Sequence, residues 1–320
     1  MEFPSELRNQ IEMKAAAWKP SELRKASAAL SEKYRNDSGK GKKLVTSGLD
    51  ALVYSIVRMP ATFAAVSEAL RYAAECTGEE IHSLLDVGAG TGAAAWAADA
   101  VFELEKIVCL EREKAMSRLG AEYMRVGSET LRNAGWIYAD LTSENFPYQA
   151  DLVTASYVLN EMSDPDRSAA VRRLWNAARK MLVITEPGTP VGFAQLKAAR
   201  DQLLSEGAHI AAPCPHEVLC RLSENDWCHF TARVQRSRLH KIVKDGDSPF
   251  EDEKFSYMVF TRNEPQRAAA RVLRHPYTEK GRITLELCTA SENTTVTITK
   301  KDKEIYKAAK KAVSGSKIDL

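Results

Sequence analysis

The chain has 320 residues, 44% of them hydrophobic and 28% charged, with a formal net charge of +2. That length predicts one large domain or two modest ones with a sizeable core, and the composition excludes a disordered or fibrous chain. No stretch approaches the roughly 18 uninterrupted apolar residues of a membrane-spanning helix. Residues 1–6 carry acids and no apolar run, so the expectation is a cytoplasmic protein with neither signal peptide nor membrane partner.

Residues 1–80 read as helical. Leu23, Ala26, Ala29 and Leu30 fall at helical spacing, and Ser5 and Ser21 stand where a helix could start. A helix over 51–57 should break at Met59-Pro60, and another should run over 61–74. The pattern then changes. Short apolar runs at 81–87, 106–110, 136–138, 151–155 and 181–185 alternate with helical stretches at 93–102, 114–132 and 165–180. Such alternation predicts an α/β fold with a mostly parallel sheet covered on both faces. A cysteine-rich insertion at 207–249 interrupts it, and strands within 250–275 should complete the core that begins at 81–206. A basic segment, 276–320, should hold a hairpin (283–288 with 294–299) and a lysine-rich helix at 302–313.

The first strand runs into Asp86-Val87-Gly88-Ala89-Gly90-Thr91-Gly92. Glycines there let the backbone turn sharply and approach a ligand. A dinucleotide fingerprint would need glycine at 93, which is Ala93. The acid-led Gly-x-Gly-x-Gly spacing instead resembles motif I of class I S-adenosylmethionine methyltransferases. The resemblance implies that Gly88, Ala89, Gly90 and Gly92 pass under the methionine part of the cofactor, with Asp86 near its ammonium group. The second strand ends in Glu111, 19 residues past Gly92, where a carboxylate can accept both hydroxyls of a ribose. The third ends in Asp140-Leu141, which in the methyltransferase pattern meets the adenine amine through Asp140, with Leu141 offering its backbone amide. Acids capping helix starts would look similar singly, but three in register favour a ligand. After the fourth strand, 156–161 holds Asn160 and Glu161 but no Asn/Asp-Pro-Pro-aromatic motif. No catalytic residue is assigned, and both serve equally as loop and cap residues.

Cys214, Cys220 and Cys228 have five and seven residues between them, and Cys288 follows after 59 more. In a cell, clustered cysteines read as a metal or catalytic site. Structural zinc usually takes closer pairs, so these spacings favour an iron–sulfur cluster. His209, His216 and His229 keep zinc open.

Eight segments together (58–64, 85–92, 156–161, 186–190, 212–216, 226–230, 250–257 and 287–289) resemble the small-ribosomal-subunit methyltransferase-like family of bacteria and mitochondria. The resemblance implies a Rossmann-like class I methyltransferase core with an N-terminal helical region and a C-terminal cysteine-ligated extension. It also implies an rRNA methyltransferase or a non-catalytic assembly factor on the small ribosomal subunit. A four-iron, four-sulfur cluster would sit on Cys214, Cys220, Cys228 and Cys288. Charge agrees with an RNA partner. From Thr231 onward there are 19 Lys and Arg against 12 Asp and Glu, a net of +7, which leaves −5 for the rest. Arg233, Arg236 and His240 fall on one helical face if that segment is a helix. Arg238, Lys241 and Lys244 lie nearby, and Lys300, Lys301, Lys303, Lys307, Lys310 and Lys311 follow in the tail.

Overall fold

A computed structural model describes residues 2–37, 42–143 and 146–318. The N-terminal region is four helices, α1 (Ser5–Ala15), α2 (Pro20–Asp37), α3 (Gly48–Val57) and α4 (Met59–Cys76). Neither Ser5 nor Ser21 is the cap residue. Pro4 precedes α1, and α2 begins on Pro20 itself, where a missing N–H costs nothing. Ser47 does cap α3, accepting the Asp50 amide. Arg58 separates α3 from α4, which meet at a 54° bend with Pro60 in the first turn of α4. Among the described residues no single helix is long and apolar enough to cross a membrane.

The central sheet contains β1 (Ser83–Val87), β2 (Lys106–Glu111), β3 (Gly135–Tyr138), β4 (Ala150–Ser156), β5 (Ala178–Pro187), β6 (His209–Ala212), β7 (Phe230–Gln235) and β8 (Phe250–Thr261). Its order is β3-β2-β1-β4-β5-β8-β6, with β7 also on β8. Strands β1 to β5 are mutually parallel, and β8 runs antiparallel to β5, β6 and β7. The order reverses at β1 and β4, so a crevice opens beyond their carboxyl ends. Strand alternation divides the core. Leu84, Met181, Val183, Tyr257 and Val259 face the N-terminal helices and α5 (Ala93–Asp99). Leu85, Leu182, Ile184, Met258 and Phe260 face α8 (Asp164–Ala177) and α9 (Pro190–Ser205).

Several expectations change. The helix over 114–132 is two, α6 (Lys114–Met124) and α7 (Glu129–Arg132). Gly127 lies between them, where a Cβ would fall 2.7 Å from Leu131 and 2.9 Å from Trp96. Helix α9 occupies a stretch for which the sequence suggests no element; Thr189 caps it through the Gly192 amide and Pro190 opens it. Within 207–249, β6 and β7 join the central sheet, so the loop 213–229 and the segment 236–249 with its helix stand outside it. Of the strands in 250–275, β8 completes the core.

The short β9 (Ala270–Val272) belongs to a second sheet with β10 (Tyr277–Glu279), β11 (Arg282–Thr289), β12 (Asn293–Thr299) and β13 (Lys317–Ile318). The expected hairpin is β11–β12, and the lysine-rich helix is α11 (Lys303–Lys311). Val272, Ile283, Leu285, Leu287, Ile298 and Ala309 give this unit its own core.

The basic helical face is not formed. Arg233 lies on β7, where Phe230, Ala232 and Val234 turn inward and Arg233 turns out. Only His240 falls in a helix, α10 (Arg238–Lys244). The charges are also answered. Arg233 pairs with Asp252 at 2.9 Å, and Arg236 and His240 both pair with Glu251, at 3.1 and 3.2 Å.

Candidate functional site: a cavity at the carboxyl edge of the sheet

A cavity of about 320 Å³ opens beyond β1, β2, β3 and β4. Its floor is the glycine loop. The amides of Gly88 and Ala89 bond to the Leu110 carbonyl at 2.9 and 3.0 Å, which fastens the loop to β2. Gly88 has φ +71°, and a Cβ there would lie 2.4 Å from Val158. Glycine is required by both backbone and space.

Glu111 reaches back under this loop. One carboxylate oxygen accepts the Gly90 amide and the other the Glu113 amide, both at 2.7 Å. Burial raises it to about 6 despite those bonds. Glu113 accepts the amides of Leu44 and Val45 at 2.7 and 2.9 Å, so the segment before α3 is strapped beside the cavity. Asp140 forms a tight turn with the amide and hydroxyl of Thr142. Burial works against its charge, but the Thr142 bonds and Arg112 hold its carboxyl below the ordinary range. Arg112 lies 4.0 Å from Asp140 and 3.4 Å from Glu161, bridging the ends of β2, β3 and β4. Glu161 is pushed up to about 7 by burial, with Arg112 opposing.

Gly88, Gly90, Glu111, Asp140 and Leu141 all line this cavity, as do Asn160 and Glu161. Asp86, Ala89 and Gly92 do not. The Asp86 carboxylate is buried, where it accepts the Thr154 hydroxyl at 2.8 Å, and burial raises it to about 7. Ala89 is buried, and Gly92, at φ +91°, begins α5 with Met124 and Trp136 packed against it.

The sequence assigns no role in this cavity to the remaining lining. Tyr34, Tyr54, Arg58 and Thr62 come from the N-terminal helices and their junction, and Lys244 from the end of α10. Tyr157, just past β4, holds a left-handed φ of +61° that costs a non-glycine residue energy. Its hydroxyl donates to Glu253 of β8 at 2.9 Å, and Arg58 lies 3.7 Å from the same carboxylate. Glu186, fully buried at the end of β5, accepts the amides of Leu159 and Asn160 and so fixes the turn that carries Asn160 and Glu161.

Cys214, Cys220, Cys228 and Cys288 line a second cavity together with His216, Arg200 and Arg271. All four are free thiols. Burial raises Cys214, Cys228 and Cys288, the last to about 12, and the neighbouring cysteines raise each further. Of the three histidines considered for zinc, only His216 joins them, with Nε2 3.5 Å from the Cys288 sulfur. His209 binds Glu217 and His229 the Trp227 carbonyl. Among the described residues no three His, Cys, Asp or Glu side chains meet as a site for one metal ion.

The sheet order, the glycine loop under a carboxyl-edge cavity and the strand-end acids define a class I methyltransferase fold. Comparison with known proteins places the chain further. The family model described as mitochondrial small ribosomal subunit Rsm22 matches residues 48–318. The human mitochondrial ribosome assembly protein METTL17 is 31% identical over 238 residues, which cover 70% of this chain and 51% of that protein. The chain thus spans about half the length of this relative. Among solved structures, a magnesium protoporphyrin IX methyltransferase from Synechocystis superposes with a TM-score of 0.42 at 15% identity, covering 66% of this chain and 87% of that one. A TehB-like methyltransferase from Corynebacterium glutamicum gives 0.39 at 15%, covering 62% and 88%. The chain belongs to the Rsm22 family.

Proposed function

We propose that this protein binds S-adenosylmethionine in the carboxyl-edge cavity and methylates small-subunit rRNA in the cytoplasm while the subunit assembles. The observation that carries the reading is the cavity itself, in which the glycine loop and the acids ending β2 and β3 face one space. Glu111 holds the ribose hydroxyls, Asp140 the adenine amine and Leu141 the adenine ring edge through its amide. The cavity is lined by Glu111, Glu113, Asp140 and Glu161 against Arg58, Arg112 and Lys244. Carboxylates raised by burial suit a ligand carrying sulfonium and ammonium charge.

The bound cofactor supplies an activated methyl group, which an acceptor lone pair displaces from sulfur. The protein's share is positioning. Tyr157 lines the same cavity and is bonded to Glu253, so a proton released by the acceptor has a carboxylate to reach.

Three thiols of the loop 213–229 and one of β11 line one cavity and fit a cysteine-ligated group, and their wide spacing along the chain favours a cluster over a single ion. Cys214, Cys220, Cys228 and Cys288 would hold a four-iron, four-sulfur cluster. It would clip the loop 213–229 to β11.

A second reading is a non-catalytic assembly factor using the same cavity. The missing Asn/Asp-Pro-Pro-aromatic motif after β4 favours it, as does the name of the human relative. The test is transfer of labelled methyl from S-adenosylmethionine to rRNA in immature small subunits. Label in the rRNA supports the enzyme; bound cofactor with no label supports the factor.

A further inference from the structure

Among the described residues the largest fully buried side chains are two arginines, Arg200 and Arg271, each 1% exposed. A buried guanidinium is tolerated when an anion answers it. Among the described residues neither has a buried carboxylate partner. Arg200 touches Asp201 at 3.1 Å, but that side chain is 48% exposed. Arg200 also bonds the carbonyls of His216 and Val218 and the Cys214 side chain. Arg271 bonds the carbonyls of Pro213 and Gly315 at 3.0 Å and sits 5.0 Å from the Tyr72 ring. Carbonyl oxygens are neutral acceptors. Arg200 Nε and Arg271 Nη2 remain buried without a hydrogen-bond partner.

Both arginines line the cavity of the four cysteines. Arg200 acts electrostatically on Cys214 and Cys288, and Arg271 on Cys214. We infer that Arg200 and Arg271 are the fixed counter-cations of an anionic cysteine-ligated cluster, set into the fold to offset its charge and hold its potential. This rests on the cluster reading above. Four thiolates around a four-iron, four-sulfur core leave a net negative group, more negative still when reduced. Two buried positive charges beside it stabilise the reduced form and resist loss of the group. The carbonyl bonds aim the guanidinium groups, since they tie Arg200 to the loop that follows Cys214 and Arg271 to the residue before it.

The test uses anaerobically purified full-length protein: the wild type, Arg271→Lys, Arg271→Gln, Arg200→Lys, Arg200→Gln and Asp201→Asn. Iron and sulfide content, the rate of iron loss to a chelator, and the midpoint potential by dye-mediated titration are read for each. The Gln forms should show a lower potential and several-fold faster iron loss, and the Lys forms should stay near wild type. Asp201→Asn removes an exposed partner of Arg200, leaves both arginines in place, and should raise the potential. Gln forms with wild-type potential and retention, or Lys and Gln forms shifted alike, would overturn the inference and leave the cluster standing. An unmoved potential in Asp201→Asn would count against it even if the Gln forms fail to fold. Wild-type protein without iron overturns the cluster reading and this inference with it.

Discussion

Gly90 gives its backbone N–H to the Glu111 carboxylate at 2.7 Å. One bond therefore joins the turn after β1 to the acid that ends β2, and both line the same cavity. The second Glu111 oxygen is held by the Glu113 amide, so the carboxylate is oriented before any ligand arrives. Orientation in advance lowers the entropic cost of binding.

Gly88→Ala tests the floor of that cavity. The new methyl group would meet Val158 at 2.4 Å on a backbone already at φ +71°. Strain of this kind costs about 1–3 kcal/mol. Thermal unfolding should show the destabilisation, and calorimetry should show weakened cofactor binding. An alanine variant matching wild type in both would place the ligand elsewhere.

The buried carboxylates give stability a pH dependence of definite sign. Burial raises Glu111 to about 6, Asp86 and Glu161 to about 7, and Glu186 to about 8. Unfolded, such groups titrate near about 4. A raised folded value means stabilisation that is full below about pH 4 and lost as pH rises through these values. The melting temperature of ligand-free protein should therefore fall from about pH 5 to 8. Asp86→Asn keeps an oxygen for the Thr154 hydroxyl and removes one titration, so its profile should be flatter. A melting temperature that climbs over this range would contradict the assignment.

Binding to small-subunit rRNA should depend on α11 and not on Arg233. The Arg233–Asp252 pair is already neutral, whereas Lys303, Lys307 and Lys310 have no ion-pair partner among the described residues. Reversing those three lysines to Glu should flatten the plot of log affinity against log salt by about 0.7–0.9 for each phosphate no longer neutralised. Reversing Arg233 should leave the slope in place. The opposite ranking would move the RNA surface to β7.

Strand-end signals are legible because each lies within a few residues of the strand that positions it. The glycine loop, Glu111 and Asp140-Leu141 need only local spacing. The helical spacing of Arg233 and Arg236 misleads because their partners, Asp252 and Glu251, arrive through the pairing of β7 with β8. No periodicity within 230–245 contains that information. Tyr34 and Tyr54 are invisible for the same reason, since helices reach the cavity only once packed on the sheet.

Cys288→Ser should loosen the loop 213–229 without unfolding either sheet, because the second sheet keeps its own core around Leu285 and Leu287. Limited proteolysis of anaerobic protein should cut that loop first. Cutting within β1–β5 instead would mean that the cysteines support the whole fold.

The most direct measurement is a calorimetric titration of the wild-type protein and Glu111→Ala with S-adenosylmethionine. Removing charge-assisted hydrogen bonds costs about 1.5–3 kcal/mol, on the order of tenfold or more in affinity. The account predicts one site in the wild type and that weakening in a variant shown by circular dichroism to be folded. No binding by the wild type, or equal affinity in the two, would contradict it.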